Sequence, residues 1–296
     1  MKKNKRKKDS IRLEKSPTLR ILYNTKAGRV VLKAFVNPAA SDLLGRFLST
    51  KASAGFIPGF VRRTGIDTSK YEARKYRSYN DFFTRKLASA PCFSTDRSVL
   101  CSPCEGFLTA MEIHEDSIFE IKDTNYSIAD LLCSRKLAAQ YNGGTCLIFR
   151  LAVHNYHRYY YFDSGRVIRA HSVNGCLHTV RPIAFEHFDV YKHNCREYTV
   201  METDNFGSAV QIEVGAMFVG RIVNYPAKQR FSRGEEKGYF EFGGSTVILL
   251  LKPGSVSVDK TIVQNSMHGI ETEVAVGQPI GRSLLNLNHS TGGEKH

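Results

Sequence analysis

The spacing of hydrophobic and polar positions changes about a third of the way along this chain of 296 residues. In the first part, short apolar runs are interleaved with cations. This pattern predicts helices over residues 29–36 and 41–48, separated at Pro38, which removes a helical hydrogen bond. Residues 78–87 predict another short helix, which begins at a Ser or Asn cap.

From residue 99 onward, apolar residues recur in runs of strand length. The predicted strands cover 107–111, 117–121, 146–151, 156–162, 208–214, 216–223, 238–242 and 246–251, and one helix is predicted from residue 127. The order indicates an α+β fold, in which a helical N-terminal region precedes a strand-rich core of sandwich or barrel-like type. The expected division is a basic disordered tail at 1–20, a helical membrane-facing region at 21–95 and a β-rich catalytic core at 96–296.

Positive charge is concentrated at the start of the chain. The formal net charge is +14, and residues 1–20 hold nine Lys and Arg side chains against two carboxylates. Such a tail favours phosphate groups on lipid or nucleic acid, although a tail that only improves solubility has the same composition. The apolar and cationic helices that follow fit either a bilayer surface or ordinary packing on the core.

The rest of the composition indicates a protein of the reduced cytosol. No run approaches the roughly 18 apolar residues of a spanning helix, and no apolar leader segment follows the basic start. The seven cysteines are an odd number, which favours free thiols. Cys101 and Cys104 form a lone Cys-x-x-Cys pair, so we expect no metal site.

The most informative chemistry lies at residues 243–246, Gly-Gly-Ser-Thr, immediately before an apolar strand. The glycines allow the Ser245 hydroxyl to attack the Gly244 carbonyl, which converts the peptide bond into an ester. Elimination and hydrolysis then leave a pyruvoyl group and ammonia. That ketone is an electron sink for decarboxylating an amine substrate. A Gly-Gly turn before a strand is the alternative interpretation of these four residues.

Five segments together resemble the phosphatidylserine decarboxylase family, in the family's order. They are Ser78–Leu87, Cys101–Gly106, Tyr156–Arg158, Gly215–Gly220 and Gly234–Thr246. The resemblance implies a proenzyme cleaved between Gly244 and Ser245, with a larger chain 1–244 and a pyruvoyl-headed chain 245–296. It also implies phosphatidylserine as substrate and a peripheral location on the cytoplasmic face of an anionic membrane. It leaves a homodimer open.

Two residues depart from the family's pattern for self-cleavage. The family's catalytic aspartate falls on Glu105, which reaches one methylene further, and its second histidine falls on Tyr160, a poor base at neutral pH. By resemblance, His157 supplies the base, or His178 supplies an imidazole from a neighbouring strand, or maturation is slow or absent. We expect an active enzyme that uses Ser245 and Glu105 together with His157, His178 or both.

Competing functions remain to be separated. An uncleaved, catalytically impaired membrane-bound relative would keep the fold but stay one chain. Nucleic-acid binding is not expected, since the charge is concentrated in the tail and no stacking motif or binding module occurs in the body. Arg150 and Arg158 are candidates for contacting the lipid phosphate or carboxylate, or else are ordinary paired arginines.

Overall fold

The computed structural model describes residues 43, 45–114, 119–121, 124–173, 196–215, 221–226, 228–243 and 245–285. The predicted tail at 1–20 and the predicted helix at 29–36 lie outside the described residues.

Before residue 99, the described chain contains helices, including the helical residues 45–48, and no strand; after it, three short α-helices lie among the strands. The labelled helices are α1 (Ile57–Thr64), α2 (Tyr79–Phe83), α3 (Ile128–Leu132), α4 (Arg135–Ala138) and α5 (Lys260–Met267), with short 3-10 segments at Lys51–Phe56, Thr68–Lys70 and Ala139–Tyr141. In the described part of the chain, no helix combines the length and apolarity that spanning a bilayer requires.

The helix predicted over 78–87 is shorter in the structure. Ser78 caps α2 as expected, because its Oγ accepts a backbone N–H at 3.1 Å. The prediction of its end was wrong, since α2 stops at Phe83. Residues 86–88 leave the helix and form backbone hydrogen bonds with residues 70–72. This pairing satisfies their backbone groups in place of a last helical turn.

Strands form the core of the protein. They are β1 (Val99–Cys101), β2 (Gly106–Glu112), β3 (Phe119–Ile121), β4 (Thr124–Tyr126), β5 (Thr145–Leu151), β6 (Arg158–Tyr160), β7 (Gly165–Val173), β8 (Arg196–Thr203), β9 (Gly207–Gly215), β10 (Ile222–Asn224), β11 (Arg230–Phe231), β12 (Glu236–Phe240), β13 (Ser245–Leu251), β14 (Val256–Val258), β15 (Thr272–Val274) and β16 (Pro279–Ser283). The α+β class, with helices first and a strand-rich core afterwards, is confirmed.

The largest sheet is antiparallel and has eight strands in the order β11-β7-β8-β9-β13-β5-β2-β15. Smaller sheets have the orders β10-β12-β6, β1-β16-β14 and β3-β4. Helices α3 and α4 contribute to the apolar cluster that includes Ile248 and Leu250. Residues of β6, β12 and β16 contribute to a second cluster that includes Val247 and Leu249. The main sheet is therefore covered on both faces, as in a sandwich.

Strand β13 lies at the centre of this sheet, between β9 and β5, and all seven of its residues are buried. Because successive side chains point to opposite faces, a strand covered on both sides is apolar at every position. This explains the uninterrupted run Val247–Leu251. Ser245 and Thr246 are the polar exceptions at its start, and both are completely buried.

The helical region packs against the end of the core where β13 begins. Phe60, Tyr79, Phe82 and Phe83 form an apolar cluster, and Val153 and Phe242 of the core pack against it. Phe242 contacts the rings of Tyr79 and Phe83 at centroid distances of 5.1 and 5.3 Å. This packing places α2, a helix of the N-terminal region, beside the Gly-Gly-Ser-Thr junction.

Candidate active site

Ser245 is held in place by the sheet on both sides. Its backbone is in register with Leu151 of β5 and with Gly215 of β9. Gly243 has a φ of 144°, a conformation that L side chains rarely adopt, so glycine is needed at this position. Gly244 lies outside the described residues. The predicted nucleophile is thus the first residue of the most buried strand in the sheet, following a backbone bend that requires glycine.

The predicted base contacts the predicted nucleophile directly. His157 Nδ1 lies 3.0 Å from Ser245 Oγ, and His157 Nε2 lies 3.0 Å from the carbonyl oxygen of Ala152. A carbonyl oxygen only accepts, so Nε2 carries the ring proton and donates it to Ala152. Nδ1 of the neutral ring is therefore the acceptor, and the Ser245 hydroxyl donates to it. This is the arrangement that a general base requires.

The His157 ring lies in an apolar, dry environment. It stacks on Phe83 with ring centroids 4.1 Å apart, and its edge meets Phe240. Only 1% of the residue is exposed. Burial lowers the pKa of His157 to about 3, and the positive charge of Arg85 contributes in the same direction. The ring is consequently neutral, and able to accept a proton, throughout the physiological pH range.

A tight loop holds the histidine from the other side. Asn155 Oδ1 accepts the Ala152 N–H at 2.8 Å, and the Ala152 carbonyl accepts the Asn155 N–H at 2.9 Å. The same Ala152 carbonyl accepts from His157. The backbone of His157 is fixed as well, since its carbonyl accepts the Phe240 N–H at 2.9 Å. The imidazole thus has little freedom to rotate away from Ser245.

Glu105 reaches this loop rather than the imidazole. Its Oε1 accepts a hydrogen bond from Asn155 Nδ2 at 2.9 Å, while both nitrogens of His157 already have other partners. Gly106, which follows Glu105, allows this part of the chain to lie close to Arg150, since a Cβ at Gly106 would be 2.8 Å from the Arg150 carbonyl oxygen. The structure therefore connects Glu105 to His157 through Asn155 and Ala152.

Tyr160 points away from the nucleophile. Its hydroxyl lies 2.9 Å from that of Tyr156, and both rings belong to a buried cluster that also includes Tyr71. Burial raises the pKa of Tyr160, which makes it a still poorer base. The other candidate imidazole, His178, lies outside the described residues.

The two arginines considered for lipid binding both form ion pairs within the protein. Arg150 donates from Nε and Nη2 to the carboxylate of Glu271 at 2.8 and 2.5 Å. Arg158 pairs with Glu236 and also donates to the carbonyl of Thr84. These contacts match the alternative that the sequence left open, in which both residues are paired arginines.

Three residues at the site were not singled out from the sequence. Phe83 covers the imidazole, Asn155 links Glu105 to the loop, and Arg85 donates to the loop's carbonyls. Arg85 and Phe83 fall within the segment Ser78–Leu87 that carried part of the resemblance, which was a usable signal. Asn155 immediately precedes the Tyr-His-Arg segment and had no comparable signal.

Comparisons with known proteins show the family of the chain. The family model described as phosphatidylserine decarboxylase matches residues 79–282. A phosphatidylserine decarboxylase proenzyme 2 of Clostridium acetobutylicum is 44% identical over 271 residues, covering 91% of this chain and 93% of the relative. Proenzymes of the same activity from Ruminiclostridium cellulolyticum and Clostridium tetani are 41% and 38% identical, covering 90% and 95% of this chain and 91% and 98% of their own lengths. The chain belongs to the phosphatidylserine decarboxylase family.

Proposed function

We propose that this protein is a phosphatidylserine decarboxylase that produces phosphatidylethanolamine and matures by cutting itself before Ser245. The observation that carries the proposal is the 3.0 Å contact between Ser245 Oγ and Nδ1 of a neutral, buried His157. Relatives that carry the name of this proenzyme cover nearly the whole chain. The two departures from the family's pattern leave this contact in place.

The first step of maturation follows from the tautomer of His157. Its Nδ1 takes the hydroxyl proton while Ser245 Oγ bonds to the Gly244 carbonyl carbon, and the proton passes to the departing amide nitrogen of Ser245. An ester replaces the peptide bond, with no net gain or loss of atoms. The geometry favours His157 over His178 as this base. Glu105 acts through Asn155 to hold the loop, rather than as a direct partner of the ring.

A self-derived pyruvoyl group at position 245 fits the residues around it. Ser245 is completely buried and its hydroxyl already contacts a base, which is the chemistry that converting a serine requires. The group supplies an electron sink when the carboxylate of a bound amine substrate is lost. Phe83 and Phe240 surround the ring of His157 with apolar side chains beside this position. His157 lies within proton-transfer distance of residue 245 and is our candidate for returning a proton after decarboxylation.

The mass of the purified protein tests this proposal against the uncleaved alternative. We expect a denaturing gel to show two chains, 1–244 and 245–296. The intact mass of the small chain should be lower than that of the unmodified peptide by the mass of ammonia. One full-length chain would instead support the uncleaved, impaired relative, and a small chain that begins with an ordinary serine amine would contradict the pyruvoyl group.

We further propose that residues 21–95 rest on the cytoplasmic face of an anionic membrane, while residues 96–296 form the catalytic core. Leu43, Phe47 and Phe56 are 71%, 46% and 56% exposed, and Phe47 contacts Phe56 at a centroid distance of 6.3 Å. Exposed Arg62 and Arg63 lie on the adjacent helix α1. Apolar side chains beside cations suit a surface that presents anionic headgroups over acyl chains.

Vesicle binding measures how much the exposed apolar side chains contribute to membrane association. Replacing Phe47→Ser and Phe56→Ser together should weaken binding to phosphatidylserine-containing vesicles at least tenfold, because each buried Phe contributes about 1.5–3 kcal/mol. Cosedimentation of the full chain with vesicles provides the readout. Met267→Ser is the matched control, since Met267 is 81% exposed but lies on α5. Equal binding by the double variant and the wild type would rule out this surface.

A further inference from the structure

Arg85 is a buried cation beneath the loop that carries His157. It is 0% exposed, and its Nη2 donates to the carbonyl oxygens of His154 and Asn155, each at 3.1 Å. The same nitrogen lies 3.3 Å from the Tyr71 hydroxyl, and the guanidinium sits 4.4 Å from the centroid of that ring. The guanidinium therefore binds two successive carbonyl oxygens in the loop shortly before His157.

The charge of Arg85 is not compensated by a carboxylate within the part of the chain that the structure describes. Two other buried cations have such a partner: Lys237 pairs with Glu213 at 2.8 Å, and Arg158 pairs with Glu236. A buried cation without an anion is costly. A neutral side chain of similar length would fill the same space without that cost. The positive charge therefore calls for an explanation beyond packing.

The neighbouring imidazole of His157 supplies an explanation for the positive charge of Arg85. After burial, the charge of Arg85 is the largest influence that lowers the pKa of His157, and His154 acts weakly in the same direction. The ionisable carboxylate nearest the loop is Glu105, which is engaged with Asn155. Ser245 faces the ring from β13, and the apolar rings of Phe83 and Phe240 face it from α2 and β12. Protonating His157 would place two cations together in a dry site.

We propose that Arg85 is a positioning residue for self-cleavage: its guanidinium holds the loop so that His157 Nδ1 faces Ser245, and its charge adds to the effect of burial in keeping that imidazole unprotonated. The inference rests on the proposed self-cleavage. It adds a residue that acts through the base and touches neither the scissile bond nor the substrate. The hydrogen-bonding role requires a nitrogen that reaches both carbonyl oxygens, as Nη2 does, and the electrostatic role requires only a positive charge.

Two variants distinguish the hydrogen-bonding role of Arg85 from its electrostatic role. Arg85→Lys keeps the charge, but its shorter side chain does not bring a nitrogen to the position of Nη2, and Arg85→Met loses both the charge and the hydrogen bonds. We expect each variant to self-cleave about 10- to 100-fold more slowly, as for a misplaced catalytic group. Only Arg85→Met should also lose rate toward the acid end of the range from about pH 8 to 5, because the pKa of its histidine is lowered less than in the wild type, by burial without the nearby charge. The wild type and Arg85→Lys should keep a flat profile there.

The measurement is a pulse-chase of the full chain made by cell-free translation, with the two chains resolved on a denaturing gel at each pH. Arg74→Met is the matched control, since Arg74 pairs with Asp81 at the surface of the same region and should leave rate and pH profile unchanged. A folded Arg85→Met with the wild-type rate and profile would overturn the proposal. If that variant does not fold, Arg85→Lys decides, and a wild-type rate in it overturns the positioning role.

The same assay separates failure of this inference from failure of the proposed function. A wild-type chain that stays whole would refute self-cleavage itself. A wild-type chain that splits normally, with Arg85 variants that split equally fast, would refute only the role of Arg85.

Discussion

Ser245→Ala leaves the chain whole and without decarboxylase activity: this is the largest effect that we expect from any single substitution. The variant lacks the only atom at position 245 that can bond to the Gly244 carbonyl carbon, so neither the ester nor the pyruvoyl group can form. The fold should persist, because the change removes a single oxygen whose partner, His157, remains neutral. A denaturing gel and release of labelled carbon dioxide from phosphatidylserine provide the two measurements.

Ser255→Ala is the control for this experiment. Ser255 is also buried, at 2% exposure, and follows the other end of β13, but its hydroxyl donates only to the Lys252 carbonyl within its own turn. We expect this variant to split normally and to keep full activity. Normal splitting of Ser245→Ala would show that another residue is the nucleophile.

Replacing His157→Phe is expected to slow self-cleavage by about 10²- to 10⁴-fold, the contribution typical of a general base. Phenylalanine preserves a flat ring against Phe83 and Phe240, so the packing of the site changes little. It provides no acceptor for the Ser245 hydroxyl proton. The rate constant comes from a pulse-chase of the variant, and a thermal unfolding curve checks that the proenzyme is folded.

The pH dependence of the wild type provides a second check on His157. Because the pKa of His157 is lowered to about 3, the ring stays unprotonated as pH falls from about 8 to 5, and the rate of cleavage should stay level. His171→Phe is the control for His157→Phe. It should cleave at the wild-type rate, since His171 is exposed on β7. If His157→Phe cleaves at the wild-type rate, a different residue must be the base, and His178 becomes the leading candidate.

Much of the architecture was predictable because apolar runs report burial. Strands β9, β13, β5 and β2, which are consecutive neighbours in the main sheet, were predicted to within about two residues at each end, whereas β8, on the other side of β9, was not predicted. Strand β7 was not predicted. Most of its residues are exposed, so its sequence carries polar side chains where a central strand carries apolar ones. The later helix α5 was missed as well, since few of its residues are apolar.

The candidate site was predictable to a smaller extent. Ser245 and His157 were identified from short motifs around them, and the structure brings them together. Glu105 was identified too, but its contact with Asn155 depends on how a loop closes 50 residues later in the chain. The part played by Arg85 was not predictable, because its contacts with residues 154 and 155 join segments about 70 residues apart.

The sequence alone determined the family, the order of helices and strands, and the Gly-Gly-Ser-Thr junction, because each of these is encoded by neighbouring residues. Only the tertiary structure decided which imidazole reaches Ser245, which of its nitrogens is free to accept a proton, and which buried charge lies beside it. Those properties arise where α2, the loop before β6 and the start of β13 meet. Burial and hydrogen bonding between distant segments set them, and no local pattern records such contacts.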